Sequence, residues 1–176
     1  MNTSSVGRSK GFTLVELLVV IAIVAISLTI AVPSVQELLR NNRVASQNNE
    51  LVALIMLAKS QAIRNNEDWQ VELISNGFSW RGNVRPDGRD PGPEEDQGCP
   101  EESGVVRCSN FQGVSLTGTG VTTLIFNNRG FLELDSEAWG SVGLRLEHQG
   151  CRGTRQAREM VILPTGQLTS QADDCS

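Results

Sequence analysis

Residues 12–32 read FTLVELLVVIAIVAISLTIAV, a run of 21 in which Glu16 is the one strongly polar side chain. At the α-helical rise such a run spans about 31 Å, the thickness of one hydrocarbon core, and it predicts a membrane-crossing helix. A secretory signal peptide is the alternative, but its apolar region is usually about 7–15 residues and closes on a small-residue cleavage site. The run here is longer and has no such close. The preceding residues, MNTSSVGRSKG, carry Arg8 and Lys10 and no acid. The positive-inside bias therefore holds residues 1–11 in the cytoplasm and sends the chain after Val32 outward.

The 176 residues suit one domain plus this appendage. Fifteen basic against 20 acidic side chains, a formal charge of −5, argue against a generally basic nucleic-acid binder while leaving a local basic patch open. One histidine excludes a His cluster and any metal site needing several imidazoles. The four cysteines, Cys99, Cys108, Cys151 and Cys175, all lie in the part predicted to be outside, where disulfides persist. No CxxC and no zinc spacing occurs. Of the three pairings, the sequential one, Cys99 with Cys108 and Cys151 with Cys175, is preferred because it closes two local loops.

An ionised Glu16 in a membrane run costs about 3 kcal/mol even on lenient insertion scales, so it needs a partner. The chain has no basic residue between Lys10 and Arg40. Cleavage after Gly11 would give Phe12 a free amine at the same depth, and the carboxylate of one subunit would then pair with the amine of another. Snorkelling of Glu16 to the cytoplasmic headgroups is the competing account.

The stretch GFTLVELLVVIAI, residues 11–23, resembles the N-terminal signature of type IV pilins and type II secretion pseudopilins. The resemblance implies that a prepilin peptidase cuts after Gly11 and N-methylates Phe12, and that Glu16 is the signature's glutamate. It also implies that the helix holds the subunit in the inner membrane until it joins a helical filament of other pilins or pseudopilins. Loss of residues 1–11 leaves 13 basic against 20 acidic side chains, a balance of −7.

Pro33 cannot donate its backbone N–H, so a helix passing through it should kink or loosen without ending. Beyond it, Val35, Leu38, Leu39, Ala45, Leu51, Val52, Leu54, Ile55, Ala58, Ala62 and Ile63 recur mostly at three- and four-residue steps, the pattern of an amphipathic helix. One helix is expected from about Phe12 to about Arg64, with fraying across the Asn-rich residues 41–50. The period then changes to two. Trp69, Val71 and Leu73 alternate with polar residues, Asn76-Gly77 marks a hairpin turn, and Phe78, Trp80 and Gly82 return on the next strand.

Residues 85–104 hold four of the six prolines and predict an irregular excursion. Its acids, Asp87, Asp90, Glu94, Glu95 and Asp96, lack EF-hand spacing and read as a solvated loop, so no metal is expected. Further strands are expected at 120–126, 131–134, 142–147 and 158–163, with Pro164-Thr165-Gly166-Gln167 turning into a last short strand. A helix followed by strands makes the fold α+β, a long N-terminal helix packed on a small antiparallel β domain. The expected organisation is a leader over 1–11, a membrane or filament-core helix over 12–32, its amphipathic continuation over 33–66 and a β-rich periplasmic domain over 67–176. LIFNNRGFL followed by REMVILPTGQL is similar to the C-terminal pattern of the GspH/FimT group, which contains secretion pseudopilins and minor pilins of the FimT and FimU kinds.

No nucleophile elbow, Walker loop, zincin helix or dinucleotide fingerprint occurs, and neither an enzymatic activity nor a cofactor or small-molecule substrate is expected. His148 with Ser141 is the nearest approach to a catalytic pair, and a lone His at a strand end reads as a surface residue. Trp69 and Trp80 read as packing residues, while Trp139 is a further candidate for stacking. Some FimT-like pilins bind DNA through a Gly-Arg-x-Arg motif, but here the corresponding residues are Gly166-Gln167-Leu168-Thr169, without arginine. Arg145, Arg152, Arg155 and Arg158 would contact phosphates only if they shared a face. The expected function is that of a minor pilin that helps initiate a type IV pilus near its tip. A type II secretion pseudopilin is the alternative, and a DNA-uptake pilin the weaker one. The FimU-like arrangement of two disulfides and the missing DNA motif lean toward the pilus.

Overall fold

The computed structural model describes residues 12–88, 105–118, 123–133, 140–152 and 154–175. Gly11, Cys99, Trp139 and the acids Asp90, Glu94, Glu95 and Asp96 lie outside the described residues. Helix α1 (Leu14–Asn65) runs without a break through Pro33. The chain forms two compact units that divide between Leu38 and Leu39, inside this helix.

In the first unit every described residue from Phe12 onward is exposed, and the 18-residue apolar window of the helix has no buried part. In the second unit α1 buries Val44, Leu51, Leu54, Ile55, Ala58 and Ala62 against two sheets. Of the expected stripe, Val35, Leu38, Leu39 and Ile63 are exposed instead.

The Asn-rich segment expected to fray is helical throughout. Its weak propensity is overridden by tertiary hydrogen bonds. Gln47 donates from Nε2 to the Gln112 carbonyl at 3.1 Å and accepts at Oε1 from Trp80 Nε1 at 2.9 Å. Asn48 Oδ1 accepts from the Ser170 hydroxyl at 2.8 Å.

The first sheet pairs β1 (Trp69–Asn76), β2 (Ser79–Pro86), β3 (Arg107–Gln112), β5 (Thr123–Phe126) and β6 (Leu132–Glu133) in the order β3-β2-β1-β5-β6. The second pairs β4 (Val114–Gly118), β7 (Val142–His148), β8 (Ala157–Ile162) and β9 (Leu168–Asp173) in the order β4-β7-β8-β9. All pairings are antiparallel. The β1–β2 loop is Gly77-Phe78, with Asn76 paired to Ser79, one residue beyond the Asn76-Gly77 turn expected from sequence.

Strands β3 and β4 were not among the expected elements. RCSNFQ is polar at four of six positions, and its burial pattern is intermediate to exposed throughout. It pairs because β2 offers it an edge. One face of β3 meets α1: Arg107 and Ser109 both donate to Glu50 Oε1, the latter at 2.9 Å, and Phe111 stacks on Trp80 with ring centroids 4.2 Å apart. Burial raises the Glu50 pKa, but the Ser109 and Arg107 hydrogen bonds outweigh it and hold the carboxyl below its ordinary value.

Candidate functional site

The helix start is built by Thr13. Its hydroxyl accepts the Glu16 backbone N–H at 3.2 Å, and its carbonyl accepts the Leu17 N–H at 3.2 Å. Thr13-Leu14-Val15-Glu16 is thus an N-cap with an acid three residues on, the Thr-x-x-Glu pattern of a capping box. This signal was available in the sequence. It gives Glu16 a local role beside any intersubunit one, since a carboxylate in the first turn also complements the helix dipole. Phe12 is 77 % exposed and Glu16 is exposed, so both are accessible to a second chain.

The two C-terminal segments that carry the family pattern meet in space. Asn127 Oδ1 accepts the backbone N–H groups of Arg129 and Phe131, both at 3.0 Å, and closes the turn between β5 and β6. The Leu132 N–H donates to the Pro164 carbonyl at 2.9 Å, joining this turn to the β8–β9 turn. Lys59 of α1 caps the junction by donating to the Thr165 and Gly166 carbonyls at 3.3 and 2.9 Å. Gly166 has φ +68°, and a Cβ there would stand 2.4 Å from the Gly130 carbonyl oxygen. Gly130 itself has φ +80° and lies against Ile63. Gly166→Ala should therefore lower stability by roughly 2–3 kcal/mol, because left-handed strain adds to a backbone clash. Thermal unfolding of the full chain in detergent would check this, and an unchanged midpoint would contradict it.

Cys151 and Cys175 form a disulfide with Cα atoms 5.7 Å apart, and it ties β9 and the C-terminal residues back to the β7–β8 connection. Cys108 is also disulfide-bonded, while Cys99 lies outside the described residues.

The four arginines do not share a face. Arg145 opposes Glu159 on one side of the β7–β8 pair, whereas Arg158 opposes buried Leu146 on the other. Arg145 is engaged by the Glu147 and Asp173 carboxylates and by the Asp174 carbonyl. Only Arg152 and Arg155, in the intervening connection, are exposed. The Arg145 hydrogen bond, with help from the Asp174 backbone, holds Asp173 below the ordinary carboxylate pKa.

A depressed folded pKa means that the pair's contribution is present above the unfolded value and is lost as pH falls through the folded one. Arg145→Gln should consequently flatten the decline in melting temperature on acidification below about pH 4. A decline as steep as that of the wild type would refute the assignment.

Ser141 precedes β7 and His148 ends it, about 23 Å apart at strand rise, and they form no catalytic pair. His148 Nδ1 instead accepts the Gly150 N–H at 2.9 Å. Burial, then Arg43 and Arg40, pushes the His148 pKa down. Trp69 and Trp80 are both buried, consistent with packing.

Residues 7–32 match the model of the prokaryotic N-terminal methylation motif, and residues 47–166 match that of the type II transport protein GspH. The chain belongs to the GspH family of pilin-like proteins. Two crystal forms of the type IV minor pilin FimU from Pseudomonas aeruginosa share this fold. One aligns at TM-score 0.51 and 14 % identity over 74 % of this chain and 89 % of FimU. The other aligns at TM-score 0.50 and 15 % identity over 72 % and 91 %. A comparison with curated proteins gives no match.

In this GspH-family chain the methylation motif covers the apolar run, and the GspH match ends at Gly166, in the turn that packs on Gly130. The motif implies processing by a prepilin peptidase, and the family implies assembly with other pilins.

Proposed function

We propose that this protein is a non-enzymatic minor pilin that helps initiate a type IV pilus, from a position near the filament tip. The observation that carries this reading is the uncovered apolar surface of α1. Every large apolar side chain described between Phe12 and Leu39 is exposed, a surface that no described residue covers. Lipid covers it first, with the second unit in the periplasm, and the helices of neighbouring subunits cover it afterwards. A head-to-tail contact of this kind does not close on itself, and it propagates as a filament. Cleavage after Gly11 exposes the Phe12 amine, N-methylation modifies it, and Glu16 pairs with the amine of the adjacent subunit to set register.

A secretion pseudopilin is the second reading, favoured by the GspH match over residues 47–166. Gene deletion with complementation, scored for twitching motility, exoprotein release and transformation, separates the two. Loss of motility together with loss of surface pili supports the pilus reading, and retained motility with trapped exoproteins supports the secretion reading. Loss of transformation with pili intact would revive DNA capture by Arg152 and Arg155.

A further inference from the structure

Arg40 and Arg43 lie on α1 eight and eleven residues beyond Val32, the last residue of the apolar run. Arginines that follow a membrane segment this closely in the chain extend their charged heads toward the headgroup layer. Two turns of the second unit come to the same place. Arg40 Nη1 donates to the Gly150 carbonyl at 3.0 Å in the β7–β8 connection. Arg43 Nη1 lies beside Gly113, the turn residue between β3 and β4, whose carbonyl accepts the Gln149 N–H at 3.0 Å.

This cluster is rich in donors and poor in acceptors. Among the described residues no carboxylate lies within ion-pair distance of Arg40 or Arg43, whereas Arg85 and Arg107 each have one and Arg145 has two. Because His148 Nδ1 accepts the Gly150 N–H, the neutral ring carries its proton on Nε2. No described residue takes that proton as a hydrogen bond. Two guanidinium groups from α1 and an imidazole N–H from the end of β7 are thus gathered with no anion between them among the described residues. The Glu147 side chain at the end of β7 bonds Arg145. The chain as a whole is acidic, so this local excess of positive charge runs against its composition.

We propose that Arg40, Arg43 and His148 form a site for the phosphate of an anionic phospholipid headgroup. A phosphate oxygen accepts charge-assisted hydrogen bonds from the two guanidinium groups and a neutral one from His148 Nε2. The site steadies the second unit on the membrane while the subunit waits to be drawn into a filament. This rests on the membrane-anchored reading above and adds the class of lipid that the anchored subunit prefers. Lipid is favoured over a carboxylate of a neighbouring subunit because the donors follow the apolar run so closely on one continuous helix.

The test reconstitutes the full chain in phosphatidylcholine nanodiscs and compares spin-labelled phosphatidylglycerol with spin-labelled phosphatidylcholine in the motionally restricted shell. A roughly thirtyfold preference for the anionic lipid is expected from two arginines near the surface. The Arg40→Gln/Arg43→Gln variant should lose it, and the conservative Arg40→Lys/Arg43→Lys variant should keep most of it. No preference in the wild type, or a preference unchanged in the glutamine variant, overturns the site. Displacement by inorganic phosphate at constant ionic strength would assign the site to free phosphate and overturn the lipid source. A chain that fails to insert overturns anchoring and site together, whereas one that inserts without preference overturns the site alone.

Discussion

Glu16→Ala is expected to lower incorporation of the subunit into filaments by tenfold or more while leaving the β domain folded. The carboxylate sits in the first turn of an apolar, exposed helix, where it costs about 3 kcal/mol to hold in hydrocarbon without a partner. A subunit whose Glu16 meets the Phe12 amine of a neighbour recovers that cost only on assembly, and each 1.4 kcal/mol recovered is a factor of about ten in the equilibrium. Removing the carboxylate removes this difference between the inserted and the assembled state.

The capping geometry supplies the control. Glu16→Gln keeps a side chain able to serve as the distal member of a capping box but carries no charge. Thr13→Ala removes the hydroxyl that accepts the Glu16 N–H and should cost about 1 kcal/mol at the helix start. Immunoblots of sheared filaments against membrane fractions read the result. Glutamine behaving like alanine assigns the effect to charge, and normal incorporation of the alanine variant contradicts the register role.

Trp80→Ala should be the most damaging single change in the second unit, at about 4 kcal/mol. Trp80 is 2 % exposed, stacks on Phe111 of β3 and donates to Gln47 of α1, so one side chain joins a helix, its own strand and the edge strand. Truncation opens a cavity and leaves the buried Gln47 oxygen without its donor. Trp80→Phe separates the two losses. It keeps most of the ring and should cost about 1–3 kcal/mol through the unpaired oxygen alone. Thermal unfolding of the full chain in detergent, read by circular dichroism, checks both. Equal losses for the two variants would mean that packing contributes little beyond the hydrogen bond.

The apolar run, the Thr-x-x-Glu start, the two-residue alternation at Trp69–Leu73 and the Asn127 and Gly166 turns can all be read in the chain, because each is a local pattern with a local physical cause. Periodicity states which residues share a face, and turn residues state where the backbone reverses. From these followed the α+β class, the single long helix and seven of the nine described strands, although the turn loop and several ends lie elsewhere by a residue or more.

What depended on tertiary structure is whatever draws its stability from a distant partner. Strands β3 and β4 lack a strong pattern and exist because β2 and β7 offer edges to pair with. The Asn-rich stretch of α1 stays helical because Trp80, Gln112 and Ser170 satisfy Gln47 and Asn48 across gaps of 33 to 122 residues. Spacing along the chain likewise suggested one arginine patch, yet strand alternation sends Arg145 and Arg158 to opposite faces, and the fold instead brings Arg40 and Arg43 to His148. By itself the sequence determined the membrane-length helix, its processing signature and the class of the fold, since these rest on hydropathy and short-range geometry. Only the tertiary structure decided which polar groups are neutralised and which are left facing outward, because that depends on contacts between residues far apart in the chain.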